Sequence, residues 1–412
     1  MRGSPQRQSG LALIAMLTLL GIWGLHLLLG QLSATQFRLE NEQNAAATLA
    51  EARAALLGDA IGRLPVSDAA YLRLPDLGSN AGSVTEGQAS ATFTGEGKDL
   101  TVIGKFPWRT LGTTVLRDEQ GECLWYVLSG RFKNSTPALK TDVLNWDTLG
   151  QIDVVDRNSN LIASNLAALL VAPGRALDNQ DRALADATYA QCGGNYDARN
   201  YLDAFNSANF ISGFSNYFAA SINNRAARFP DNKTFVMART DFYNDGFLFV
   251  TVDDIFDPLI GRSDFAGAVA TLLDDPSFRS HLQSIVVSGN KGSDNVNCRC
   301  NNPTCTLVAG DAFQTFCANW KEMLFLTELP APAAITIDGA ASGNCSRVLI
   351  FAGRKAGGQT RSSFAEKANP NNYLEAPNVT SFSVPSATSA NFNGASAFSS
   401  QSPATDVVRC LP

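Results

Sequence analysis

The chain has 412 residues, is 45% hydrophobic and carries a net charge of -6, so it can bury a sizeable core and has room for two or three domains of ordinary size. No basic run follows its first apolar stretch, which removes the electrostatic footprint of a nucleic-acid partner. With only two histidines, His26 and His281, histidine-dependent catalysis has little to work with, and the chain is expected not to be an enzyme.

Residues 1–10 carry Arg2 and Arg7 and no acid. Residues 11–30 read LALIAMLTLLGIWGLHLLLG without a formal charge, and ~20 such residues suffice to cross a ~30 Å hydrocarbon layer as a helix. The mixed charges that follow, Arg38, Glu40 and Glu42, place the N-terminus in the cytoplasm and the remainder across the membrane. A cleavable secretory signal would need small residues just beyond the apolar core. The best match there, Leu32-Ser33-Ala34, puts a leucine where a small side chain is required. His26 is near enough to the helix end to reach the interface or a neighbouring helix.

Residues 31–64 extend this segment without a breaker. Leu39, Ala46, Leu49, Ala50, Leu56, Leu57 and Ile61 recur at helical intervals, so one helix is predicted to run to about Arg63 and to stop before Pro65. From Leu11 that is a rod of roughly 80 Å, half apolar and half amphipathic.

A short basic leader ending in Gly10, followed by Leu11 and a helix of this kind, resembles a type IV prepilin. The resemblance implies cleavage by prepilin peptidase between Gly10 and Leu11, methylation of the new N-terminus, and partnership with other pilin or pseudopilin subunits through the helix. That family usually has phenylalanine at the first mature position and glutamate at the fifth, where this chain has Leu11 and Ala15. The glutamate is held to meet a neighbour's N-terminal amine within the fibre, so its absence at Ala15 resembles the tip minor pseudopilin of type II secretion and similar initiating minor pilins. The alternative is a pilin-like anchor that never enters a fibre. FPWRTLG at 106–112 followed by Leu124-Trp125-Tyr126 also resembles a set of pilin-like proteins of proteobacteria.

Beyond a Gly, Ser, Ala and Asp-rich connection at 64–97, residues 122–132 read as a strand. NLAALLVAPGRALDNQDR around Val171 recurs as SRVLIFAGRKAGGQTR around Phe351, with Arg175, Gln180 and Arg182 spaced as Arg354, Gln359 and Arg361. Downstream, Asn200-Tyr201-Leu202-Asp203 is echoed by Asn372-Tyr373-Leu374-Glu375. Arg175 and Arg354 are expected to hold their own loops through backbone carbonyls. Residues 252–286 read as helices, with Asp253 or Asp254 as a cap, Pro258 near a first turn and a break at Pro276. Residues 376–404, rich in Ser, Ala, Asn and Pro, suggest exposed loop pinned by a disulfide at Cys410.

The eight cysteines are Cys123, Cys192, Cys298, Cys300, Cys305, Cys317, Cys345 and Cys410. Disulfides of an oxidising compartment fit them better than a zinc knot at 298–317, because no standard zinc spacing occurs and no histidine is near. Asp241, Asn244 and Asp245, with Asp253, Asp254 and Asp257 just after, offer clustered oxygens of the sort calcium uses. The spacing is not an EF-hand loop, and Asn-Asp-Gly is foremost a turn signal. No other cofactor is expected. Ser288-Gly289-Asn290-Lys291 and Ser293-Asp294-Asn295 match two motifs of penicillin-recognising enzymes, but they nearly touch and no K-T-G follows, so they read as a polar loop.

The expected fold is α+β: a long transmembrane-plus-amphipathic helix packed on a β-rich region that is a duplicated antiparallel-sheet module with a helical insert. The division is leader 1–10, transmembrane helix 11–30, amphipathic continuation 31–64, first β-rich module 65–250, helical and Cys-containing insert 251–310, and second β-rich module with a loop-rich C-terminus 311–412. The expected function is that of a minor pilin or pseudopilin subunit of a type IV pilus or type II secretion pseudopilus, in the inner membrane with its globular part periplasmic. The alternative is a membrane-tethered periplasmic binding or adhesion protein outside any fibre, and an anchored periplasmic hydrolase comes third.

Overall fold

The computed structural model describes residues 9–78, 86–91, 101–134, 144–178, 180–183, 191–192, 194–203, 233–238, 240, 242–289 and 311–412; within the first helix it describes the side chains of 16–23 and from 42 onward. The architecture is mixed α+β with several small sheets.

Helix α1 runs unbroken from Ser9 to Gly62, ending within a residue of the predicted stop. Its buried stripe is Leu49, Ala52, Leu56 and Ala60, a spacing that keeps one face turned to the core. The alanines let the helix approach the sheet closely. Ala46 and Ala50, expected on that face, are exposed instead, because the stripe leans one residue further round. Nearer the N-terminus Met16, Leu17, Leu19, Leu20, Ile22 and Trp23 are each at least 56% exposed. Among the described residues no helix is long and apolar enough to cross a membrane, so the predicted transmembrane segment is not borne out there.

Strands β1 (Leu72–Arg73), β2 (Val102–Lys105), β3 (Trp125–Leu128), β4 (Lys133–Asn134), β5 (Ile152–Val155), β6 (Leu161–Leu166), β7 (Ala168–Ala172), β8 (Lys233–Val236) and β9 (Gly246–Val250) build the first half. Four form an antiparallel sheet in the order β2-β3-β7-β9. The predicted strand at 122–132 is therefore shorter, since residues 130–132 turn into a 3-10 helix. The runs WYVL and ALLVA lack polar alternation because both sheet faces are covered. Tyr126, Leu128, Ala168, Leu170 and Ala172 face the core shared with α1, whereas Trp125, Val127, Leu169 and Val171 face a second core under the sheet β6-β5-β8.

Three helices follow β9 directly: α2 (Val252–Ile260), α3 (Ser263–Asp274) and α4 (Pro276–Ser284). The predicted break at Pro276 is present, with Asp275 capping α4 through the Phe278 N–H. The cap of α2 is Thr251, not Asp253 or Asp254. Its Oγ1 accepts the Asp254 N–H while the Asp254 carboxylate accepts the Thr251 N–H, a reciprocal box in which the acid belongs in the first turn.

Helix α5 (Ala312–Trp320) leads into β10 (Leu324–Ala333), β11 (Thr336–Ile337), β12 (Ala340–Ala341) and β13 (Cys345–Phe351), then helices α6 (Phe364–Ala368) and α7 (Asn378–Ser381), then β14 (Asn393–Gly394) and β15 (Val407–Leu411). Strands β10, β13 and β15 form the second antiparallel sheet, with β13 central as β7 is in the first. The segment read as exposed loop at 376–404 is mostly exposed and irregular, but Phe382, Phe392 and Phe398 anchor it in the same core as β13.

One loop of the first half crosses into the second. Trp146 lies within 4.6 Å of Trp320, 6.0 Å of Phe398, 6.1 Å of Phe351 and 6.4 Å of Phe265, ring centre to ring centre. Beside it, Asn145 Nδ2 donates to the Asn319 carbonyl at 3.0 Å. The main hydrophobic core thus runs from α1 through the helices to the second sheet.

Candidate functional site

The most organised polar features are two constellations built on the recurring sequence. In the first, the Arg182 guanidinium donates from Nε to the Asn200 carbonyl at 2.7 Å, from Nη1 to the Gly174 carbonyl at 2.7 Å and from Nη2 to Gln180 Oε1 at 2.8 Å. In the second, Arg361 makes the corresponding bonds to Asn372, Gly353 and Gln359. Each glutamine oxygen also accepts the N–H three residues before it, Leu177 at 3.0 Å and Ala356 at 2.9 Å. Each guanidinium covers a tyrosine ring, Tyr201 at 5.0 Å and Tyr373 at 4.1 Å.

The equivalence extends to a pair of acids. Asp203 and Asp245 each donate their N–H to the other's carboxylate at 2.9 Å, and Glu375 and Asp406 do the same at 3.0 and 3.1 Å. Asp245 immediately precedes β9 and Asp406 immediately precedes β15, so in both places the acid pair ties the Asn-Tyr-Leu-acid turn to the start of an edge strand. Asp245 lies inside the Asn-Asp-Gly turn expected there, and its partner Asp203 carries the signature acid. Asp406 stands out only once the two sheets are aligned.

The glycine ahead of each turn is required for a different reason. Gly174 has φ +64°, and a Cβ there would stand 2.6 Å from Asn244 Oδ1. At Gly353 a Cβ would meet the Ala404 carbonyl at 2.1 Å. Their N–H groups donate to buried carboxylates, Gly174 to Asp118 at 2.8 Å and Gly353 to Asp406 at 3.3 Å. Burial pushes both carboxyls up to about 6, against the pull of backbone N–H donors on Asp118 and of Asn378 and backbone donors on Asp406.

The loop-holding role expected of Arg175 and Arg354 belongs to Arg182 and Arg361, two positions beyond each glutamine, where the side chain turns back under the loop. Arg354 instead pairs with Asp253 and Asp257 on α2. Arg175 is exposed, and its carbonyl accepts Asn244 Nδ2 at 3.0 Å.

Of the oxygens considered for calcium, Asp241 lies outside the described residues. The others are dispersed: Asp245 meets Asp203, Asp253 meets Arg354, and Asp254 holds Thr251 and pairs with Arg53 at 2.6 Å. Among the described residues no group of three potential metal-binding side chains is found.

Cys123 bonds Cys192, and Cys345 bonds Cys410, as disulfides. Cys317 is also disulfide-bonded, whereas Cys298, Cys300 and Cys305 lie outside the described residues. Cys410 pins a strand of the second sheet, not a loose tail. Gly10, Leu11 and Ala15 belong to the first turns of α1, where only the backbone is described. In the motif at 106–112, Arg109 Nε donates to the Glu86 carbonyl at 2.9 Å and the guanidinium lies over Trp108, so those residues shape a turn after β2.

Two features escaped sequence reading: the crossing loop at 144–147 and the ion pair it supplies. Asp147 accepts Arg361 Nη1 at 2.9 Å with both side chains buried, while in the first constellation Arg182 finds Glu122 at 3.5 Å. Neither acid has a periodic or motif signal.

No family model, curated protein or solved structure matches the chain.

Proposed function

We propose that the chain is a structural subunit of the minor pilin or pseudopilin kind, anchored in the bacterial inner membrane by the N-terminal half of α1, with the rest periplasmic. The observation that carries this reading is the two-part character of one continuous helix. From Leu49 to Ala60 it buries a stripe against the sheet, whereas between Met16 and Trp23 apolar side chains stand exposed all around it. A helix apolar on every side is stable against lipid or other helices and unfavourable in water. The extended rod, the leader ending in Gly10 and the disulfides are consistent with this role, and the two matched constellations support a duplicated head module. Ala15 in place of the usual acid supports a place at the fibre tip.

The test is N-terminal and intact-mass analysis of protein from membranes with and without prepilin peptidase. Peptidase-dependent loss of the first ten residues, with an N-methylated Leu11, is the expected result. An intact Met1, or a cut near Ala34, would overturn it in favour of a tethered or secreted protein outside any fibre.

A further inference from the structure

Because the two constellations share their arginine, glutamine and acid-pair bonds, the surroundings of one turn are a guide to the other. In the second, Arg354 follows Gly353 and reaches Oδ1 of both Asp253 and Asp257, one helical turn apart on α2. In the first, Arg175 follows Gly174, is exposed, and has no side-chain partner among the described residues. The turn that presents it is fixed on three sides: Gly174 N–H to Asp118, Arg182 to the Gly174 carbonyl, and Asn244 to the Arg175 carbonyl. The backbone ordering that a new contact would otherwise require has already been met in folding.

We propose that Arg175 docks the acidic turn of α2 from a second copy of this chain. Among the described helices α2 is the one that carries acids four residues apart. In the grip of Arg354 its two carboxylates remain 70% and 59% exposed. Arg354 takes Oδ1 of each, so neither Oδ2 is bonded to it. The fork geometry of arginine suits two carboxylates at this separation, as Arg354 itself demonstrates. Arg175 and α2 belong to different surfaces, so the contact is heterologous: each copy offers α2 to one neighbour and receives another at Arg175. A single exposed ion pair is weak between dilute molecules and becomes populated when copies are held close together. The contact is independent of the pilin reading, since any arrangement that concentrates the chain would serve.

The experiment places a photoreactive benzoylphenylalanine at Ala176, next to the arginine, in the full chain concentrated in low-salt solution. Irradiation should give a two-copy adduct whose cross-linked peptide spans α2, and its yield should drop about fivefold on Arg175→Glu or in high salt. Thermal melting of the R175E protein should equal that of the parent, which separates loss of contact from loss of fold. Adducts to another part of the chain, a yield indifferent to R175E, or no adduct would each overturn the proposal.

Discussion

Arg182 and Arg361 hold the same atoms of the same kind of loop, yet they differ in the source of their acid. Glu122 comes from the approach to β3, within the sheet that Arg182 serves. Asp147 comes from the other half of the molecule, 214 positions away from Arg361. One copy of the device therefore stabilises a loop, and the other also fastens the two halves together. The fastening is enclosed: Trp146 fills an aromatic nest beside it, and both charged side chains are buried. Local sequence similarity preserves the loop, while the tertiary setting decides what else the arginine does.

The most direct way to break this comparison is to remove each arginine. Arg361→Ala leaves Asp147 buried without its partner and is expected to cost about 3–5 kcal/mol in urea unfolding. Arg182→Ala loses hydrogen bonds to carbonyls and a longer contact to Glu122, for about 2 kcal/mol. Equal losses would mean that Asp147 adds nothing to the second device.

The disulfides sharpen the comparison from the unfolded side. Cys123–Cys192 and Cys345–Cys410 close loops of similar sequence separation, 69 and 65, so the paired Cys→Ser variants should each lose about 4 kcal/mol by chain entropy. A clear inequality would reveal residual structure in one half of the unfolded chain.

Acid should act on both halves in the same direction. Asp118 and Asp406 have folded-state values near 6, above the ordinary 3.8, so the folded protein binds these protons more tightly than the unfolded chain does. Their contribution is fully present below about 4 and is lost as pH rises through about 6. Unfolding free energies from urea titrations are thus expected to increase from pH 7 to pH 5, by about 1 kcal/mol per group. Asp406→Asn should flatten the part of that slope that belongs to the second half. A midpoint that falls over this interval would contradict the assignment.

The smallest effect tests the junction between the halves. Thr251→Ala removes the cap of α2 and should cost about 1 kcal/mol without altering either constellation.

Much of this organisation was legible because it is local. Residue spacing alone gave the end of α1, the break at Pro276 and the correspondence of Gln180 and Arg182 with Gln359 and Arg361. Loop holding is expected of Arg175 and Arg354 but falls to Arg182 and Arg361, because spacing does not tell which side chain folds back under its own loop. Thr251 was overlooked as a cap because two aspartates just beyond it gave a louder signal. The crossing loop was illegible: Leu144-Asn145-Trp146-Asp147 has no periodicity, and its partners come from Phe265 to Phe398. The burial of Phe392 and Phe398 is masked by the exposed serines and alanines between them.

The aromatic nest around Trp146 also sets an order of assembly. Arg361 can find Gln359 and Asn372 by closing a short loop, but Trp146 must wait for Phe265, Trp320, Phe351 and Phe398, all supplied much later in the chain. Contacts of such long sequence separation form slowly. Until they do, the loop at 144–147 carries a large uncovered indole, the kind of surface that invites aggregation of partly folded chains. That loop is therefore covered only once the second half of the chain has folded onto it.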